Sequence, residues 1–211
     1  MMLTSNMMIG IPDLHLQTMA RTKATKKEES HERIVAAAAR AIRRTGYAGT
    51  GVADVMKDAG LTHGGFYAHF PSRDAMLAEA ADRAGAETLA AMKRLEASVP
   101  QEDLLQALVE SYLSKAHVQD IETGCATAAL CSEIVRQAPE VRRAATNRIK
   151  ESIDLIARQL PDWGKESAHR NALAIFATMV GGLVLARAVD DAKLSDELRE
   201  AVLKRLLPAK A

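Results

Sequence analysis

Apolar positions along this chain recur every three or four residues, and no stretch alternates apolar with polar long enough to read as a strand. Ala, Leu, Glu and Arg, all good helix formers, fill the same segments, so the expected fold class is all-α. Turn and cap residues divide the pattern into about nine helices. Ser30 is read as the cap of a first helix whose stripe is Ile34, Ala38, Ala41 and Ile42 and which ends near Gly46. Thr50 caps a short second helix through Val52, Val55 and Met56 that Gly60 stops, and Thr62 caps a third that ends before Pro71. Ser72, with Asp74 in the first turn, opens a long helix through Met76, Leu77, Leu89, Met92 and Leu95 that runs to near Pro100. Further helices are expected at about 102–118, 126–135, 139–160 and 166–189, and a last one at 196–207 capped by Ser195.

The segment 172–186 is apolar apart from Thr178. It is shorter than the roughly 20 residues that a membrane crossing needs, and Gly181, Gly182, Arg187 and His169 weaken that case, so a helix buried on nearly all sides within protein is the expectation. Its stripe of Leu173, Phe176, Ala177, Val180, Val184 and Ala188 suits a second copy of the chain, and Ile175, Met179, Leu183 and Ala186 suit its own domain. With Leu194, Leu198, Ala201, Val202 and Leu206 of the last helix, the pattern predicts a four-helix homodimer interface.

Charge adds an asymmetry that the net value of +1 conceals. Residues 21–73 hold ten Lys or Arg against five Asp or Glu, whereas residues 74–211 hold 18 against 21. A basic head on a mildly acidic body points to a polyanionic partner for the head. The two cysteines, Cys125 and Cys131, are too few for a disulfide framework and are not spaced as zinc ligands, so no metal and no cofactor is expected, and a reducing, cytoplasmic location is. Residues 1–29 read as a flexible leader and basic arm, without the basic n-region and apolar run of a secretory signal.

The head also carries the chain's most specific stretch, THGGFYAHF, residues 62–70. The second and third helices are joined by the tight Ala59-Gly60-Leu61 connection, which is helix-turn-helix geometry. Leu61 and Phe66 are expected to pack on Ile34, Ala38 and Val55, leaving Thr62, His63, Gly64, Tyr67 and His69 facing outward. Each interior glycine costs a helix about 1 kcal/mol relative to alanine. Gly64 and Gly65 make sense if the main chain must come close to base edges and phosphates in a major groove. The plainer alternative is that they fit against a neighbouring helix. His63 and Thr62 are placed to reach a base edge, a phosphate or a thymine methyl, and Tyr67, His69, Arg73 and Thr50 to grip phosphates.

The run TGYAGTGVADVMKDAGLTHGGFYAHFPSRDAML, residues 45–77, resembles the DNA-binding domain of the TetR family of bacterial transcriptional regulators, with its Gly-Tyr, capping Thr, Ala-Gly turn and Tyr-x-His-Phe ending in the same order. The resemblance covers about fifty residues, 30–77. It implies a homodimer with an N-terminal reader at 30–73 that binds a double-stranded operator, a C-terminal ligand and dimerisation domain at 74–211, and repression relieved by a small-molecule effector. Arg73 departs from the lysine common in the family, and Gly51 replaces the small polar or β-branched residue many members carry after the capping Thr.

No family motif marks the effector pocket. Residue types nominate Met92, Tyr112, His117, Cys125, Phe176 and Met179 as lining, a methionine-rich set suited to adaptable apolar ligands. The Thr123-Gly124-Cys125 start of TGCATAALC resembles a segment in one branch of TetR-like regulators, some of which respond to electrophiles or oxidants. Cys125 beside a helix N-terminus would have its thiolate favoured, and Cys131, six residues on, lies on another face. Two alternatives of different class stand beside the repressor. One is an enzyme with Cys125 as nucleophile and His117 as base, for which no orienting third residue or oxyanion loop is found; the other is a small-molecule-sequestering protein with a vestigial DNA reader.

Overall fold

The structure, a computed structural model, describes the backbone of residues 14–207 and the side chains of residues 25–207. Among the described residues there are nine α-helices and no strand. These are α1 (Leu14–Gly49), α2 (Val52–Asp58), α3 (Arg73–Glu96), α4 (Leu104–Tyr112), α5 (Lys115–Gln119), α6 (Ala126–Ile134), α7 (Pro139–Ala157), α8 (Glu166–Ala188) and α9 (Ala192–Leu206). Two 3-10 helices, His63–Ala68 and Gln101–Asp103, complete the set.

No glycine or proline interrupts residues 13–45, so the helix expected to begin at Ser30 extends back to Leu14, and residues 14–29 are helical rather than a flexible leader. Residues 1–13 lie outside the described part. Inside α1, Gly46 breaks the helix with φ of 73°, which only glycine adopts at little cost. Glu133 of α6 fills the space there, its Oε2 accepting from the Tyr47 N–H at 2.9 Å.

The tight connection after α2 forms as expected. Gly60, with φ of 69°, follows the helix; its N–H donates to the Lys57 carbonyl at 2.9 Å and the Leu61 N–H to that of Met56 at 2.8 Å, the paired bonds of a Schellman ending. Four expected caps fail, Ser30 among them because α1 runs through it. Gly51, not Thr50, precedes α2, and the Thr50 side chain is turned inward, its hydroxyl donating to the Gly46 carbonyl at 2.7 Å. Thr62 precedes the 3-10 helix without capping it, whereas Ser72 caps α3 by accepting from the Ala75 N–H at 3.0 Å. At the other end of the chain Asp191, not Ser195, caps α9, and Ser195 donates to the Ala186 carbonyl at 2.7 Å. The helix expected at 102–118 is broken at Leu113–Ser114 into α4 and α5.

Two hydrophobic cores share α3. The first gathers Ile34, Ala38, Ile42, Val55, Met56, Phe66, Phe70, Met76 and Leu77, and reaches into α6 and α7 through Leu130 and Val141. The second gathers Leu89, Leu104, Leu108, Leu113, Ile156, Phe176 and Leu183. The head is therefore fused to the body along one continuous helix. α8 is long and apolar enough by composition to cross a membrane, but here it packs on α7 and α9. It is less enclosed than the sequence suggested, with 33% of its most apolar stretch buried and Leu173 and Leu185 exposed.

Candidate nucleic-acid interface and internal cavity

The element expected to enter a groove is a 3-10 helix rather than an α-helix, consistent with two adjacent glycines weakening helix formation. Phe66 and Phe70, 2% and 1% exposed, stack with ring centroids 5.6 Å apart and hold it to the first core. Thr62, His63, Gly64 and Tyr67 face outward, Tyr67 with 76% of its surface exposed and its ring set edge-on to Phe66 at 5.2 Å.

The glycines themselves answer to nothing inside the protein. Neither has a positive φ. A methyl group on Gly64 would touch nothing within 4 Å, and one on Gly65 would make ordinary contact with Met56 Cε at 3.7 Å. Fit against a neighbouring helix, the plainer alternative, therefore does not account for Gly64.

Two residues proposed as phosphate contacts, Thr50 and Arg73, are used internally, and a third, His69, is half-buried. Thr50 is 2% exposed, and its hydroxyl is taken by Gly46. The Arg73 guanidinium donates to the carbonyls of Thr50, at 3.3 Å from Nε and 3.1 Å from Nη2, and of Tyr47, so it staples the end of α1 to the start of α3. His69 is half-buried beside His31, with its Nδ1 enclosed and without a hydrogen-bond partner among the described residues, and His31 stacks on Phe70 at 4.5 Å. Burial, then the neighbouring His31 and Lys27, lower the His69 pKa. The basic surplus of the head shrinks likewise, because Arg43 is buried on Glu87 and Arg44 pairs with Glu122 at 3.1 Å and Asp58 at 3.7 Å. The Lys57 side chain, on the exposed side of α2, makes no ion pair or hydrogen bond among the described residues.

In the body a cavity of about 650 Å³ opens between α1, α3, α4 and the 113–125 segment. Met92, Tyr112, His117, Cys125 and Met179, five of the six proposed lining residues, meet around it. Phe176 does not; it packs in the second core at 9% exposure, because its face of α8 turns towards the protein's own helices. Sequence reasoning missed Arg40, Glu87, Arg94 and Asp120, which also line the cavity and come from elements distant along the chain.

The 117–125 loop that closes one side is held from three directions. Arg187 of α8 donates to the carbonyls of Val118, His117 and Asp120 at 3.1, 2.6 and 2.7 Å. Asp120 accepts from the Thr123 N–H at 2.9 Å and its hydroxyl at 2.6 Å; burial would raise its carboxyl, but these bonds outweigh that and leave it below the ordinary range. Arg43 of α1 donates to the Gly124 carbonyl at 3.3 Å and to Glu87 at 2.9 Å. The signal for Arg43 lay in its register, four residues after buried Ala39 on the inner face of α1. At Gly124 a methyl group would lie 2.3 Å from the Asp120 carbonyl oxygen, so this glycine is demanded by the packing.

The contacts of His117 define its chemistry. Its Nε2 lies 3.0 Å from the Cys125 N–H and accepts from it, so Nδ1 carries the proton and donates to the Tyr112 carbonyl at 2.6 Å. Burial lowers the His117 pKa, which suits this neutral tautomer. With both nitrogens occupied by main chain, His117 does not face the Cys125 thiol as a base. That sulfur, in a residue 1% exposed, accepts from the Ala128 N–H at 3.5 Å at the start of α6.

Comparison with known proteins places both halves. Residues 34–80 match the bacterial regulatory proteins of the tetR family. Residues 102–201 match the C-terminal domain of LmrA/YxaF-like transcriptional regulators. An uncharacterised HTH-type transcriptional regulator of Mycobacterium tuberculosis is 32% identical over 188 residues, spanning 83% of this chain and 95% of that one. The HTH-type transcriptional regulator LmrA of Bacillus subtilis is 29% identical over 161 residues, 74% of this chain and 85% of its own. The reduced form of Escherichia coli NemR superposes with a TM-score of 0.71 at 21% identity, covering 86% of this chain and 99% of that one.

Proposed function

Because this chain belongs to the TetR family of bacterial transcriptional regulators, we propose that it is a cytoplasmic, homodimeric repressor that holds a palindromic operator through two glycine tips and releases it when a small molecule enters the body cavity. The observation that carries the DNA-facing part is the exposed Gly64, whose missing side chain serves neither backbone conformation nor packing. A close approach of the main chain to a duplex gives it a purpose. Thr62, His63 and Tyr67 flank it, and Lys57 supplies an unpaired cation nearby in sequence.

Dimerisation is supported by what α8 and α9 leave uncovered. Leu173 and Leu194 are 43% and 41% exposed, and Ala177, Ala188 and Ala201 share that exposure. Coupling between cavity and tip has a short route. α6 begins at Cys125 in the cavity wall and reaches the break in α1 through Glu133 at its other end, while Arg43 ties α1 to Gly124. An effector that shifts the loop or α6 therefore pulls on the helix that carries the reader.

The enzyme reading loses its base, since His117 has no free nitrogen to offer the thiol. An electrophilic effector acting on Cys125 is testable by alkylation with iodoacetamide, with operator release in the wild type but not in Cys125→Ala as the supporting result. The repressor reading itself is tested by fluorescence anisotropy with fragments upstream of the chain's own gene. Sub-micromolar binding that weakens steeply with salt is expected, since each displaced phosphate counterion steepens the dependence. Binding to no genomic fragment, or binding insensitive to salt, overturns it.

A further inference from the structure

The cavity shows an imbalance between its donors and acceptors. Both carboxylates in its wall are consumed. Glu87 accepts at Oε2 from Arg43 and at Oε1 from Arg83 at 2.9 Å, and Asp120 is filled by Thr123. His117 has neither nitrogen free. The cations are not consumed: Arg40 on α1 and Arg94 on α3, both lining the cavity, make no ion pair or hydrogen bond among the described residues. The Tyr112 hydroxyl, on a residue 7% exposed, has the Cys125 thiol for a neighbour and no hydrogen-bond partner among the described residues. What the wall has left to offer is therefore positive charge and O–H groups, set around an otherwise apolar interior that includes Met92, Leu108 and Met179.

We propose that the effector of this cavity is an amphipathic organic anion, whose apolar body lies among the methionine and leucine side chains and whose acidic group is bound by Arg40 or Arg94. This rests on the regulator reading for its biological meaning, but the chemistry of binding does not need it. A guanidinium without an acid partner binds a carboxylate or related oxyanion through charge-assisted, often paired, hydrogen bonds. A neutral ligand of equal apolar size would leave both guanidinium groups as they are, and a cation would be repelled. A volume of about 650 Å³ lies within the range of small-molecule sites.

The test uses the full chain without DNA and three probes that share one alkyl chain: decanoate, decan-1-ol and decyltrimethylammonium. Isothermal titration calorimetry is expected to give decanoate a Kd at least about tenfold below those of the other two, which corresponds to one good charge-assisted contact. In the Arg40→Ala/Arg94→Ala double variant, checked for folding by its circular dichroism, that preference disappears while decan-1-ol binding stays within about twofold. Decanol equal to decanoate, a preference for the cation, binding of none of the three, or a preference that survives the double substitution each overturn the inference. Decanoate that binds selectively yet leaves operator binding unchanged supports the inference and counts instead against effector-driven release.

Discussion

The reading tip and the cavity loop are built from similar letters, THGG at residues 62–65 and TGC at 123–125, each with an imidazole close by, and they use them in opposite ways. At the tip Gly64 has open space around it, and His63 stands exposed. In the loop Gly124 is pressed against the Asp120 carbonyl, and His117 spends both nitrogens on main-chain groups. A residue whose identity the fold explains is explained by the fold; one whose identity it leaves unexplained points outward to a partner. By that measure Gly124 belongs to the architecture, and Gly64 is the residue that carries the proposed contact with DNA.

The contrast is open to direct attack. Gly64→Leu is expected to weaken operator binding by at least about a hundredfold while leaving the urea midpoint almost unmoved, because the new side chain meets only solvent in the free protein. Retained operator affinity in that variant would falsify the close-approach reading. Gly124→Ala should do the reverse, costing about 1–3 kcal/mol of stability in urea unfolding as the loop backs away from the Asp120 carbonyl. An unchanged midpoint would mean the loop yields freely.

The hydroxyls flanking the tip give a smaller contrast. Ser72→Ala loses a cap bond and is expected to destabilise by about 1 kcal/mol, and Thr62→Ala, which has no such bond to lose, by less than about 0.5 kcal/mol. Equal losses from the two would remove the distinction between a capping and an outward-facing residue.

The smallest effect expected is on pH dependence. His117 and His69 both have folded-state pKa values below the ordinary 6.5. As pH falls through 6.5 the unfolded chain takes up protons that the folded chain refuses, so stability is full above that value and declines below it. Thermal melts between pH 7.5 and about 5 should show this decline, and His117→Gln should flatten it in part, leaving the share owed to His69. A melting temperature independent of pH across that range, or one that rises on acidification, contradicts the burial of these two rings.

Local signals carried most of the architecture. Gly60 after α2, Ser72 before α3 and Pro139 at the start of α7 mark their boundaries through chain-local chemistry, and the periodicity assigned the buried faces of α1, α2 and α3. The misplaced caps at Thr50 and Ser195 have a common cause. A hydroxyl at a helix start has more than one carbonyl within reach, and both of these donate to a neighbouring helix end instead of accepting from their own. The wiring of Arg73 and Arg187 was out of reach for a further reason: a basic residue looks the same in sequence whether it meets a phosphate or an enclosed carbonyl.

The sequence by itself determined the helical class, the helix-turn-helix with its glycine-bearing tip, and thereby the kind of partner the head faces, because these depend on interactions between residues close along the chain. Only the tertiary structure decided which cations remain free among the described residues and that Met92, His117, Cys125 and Met179 enclose one space, because both follow from contacts between residues tens of positions apart. Such contacts are fixed by how the helices pack, and no local pattern encodes them.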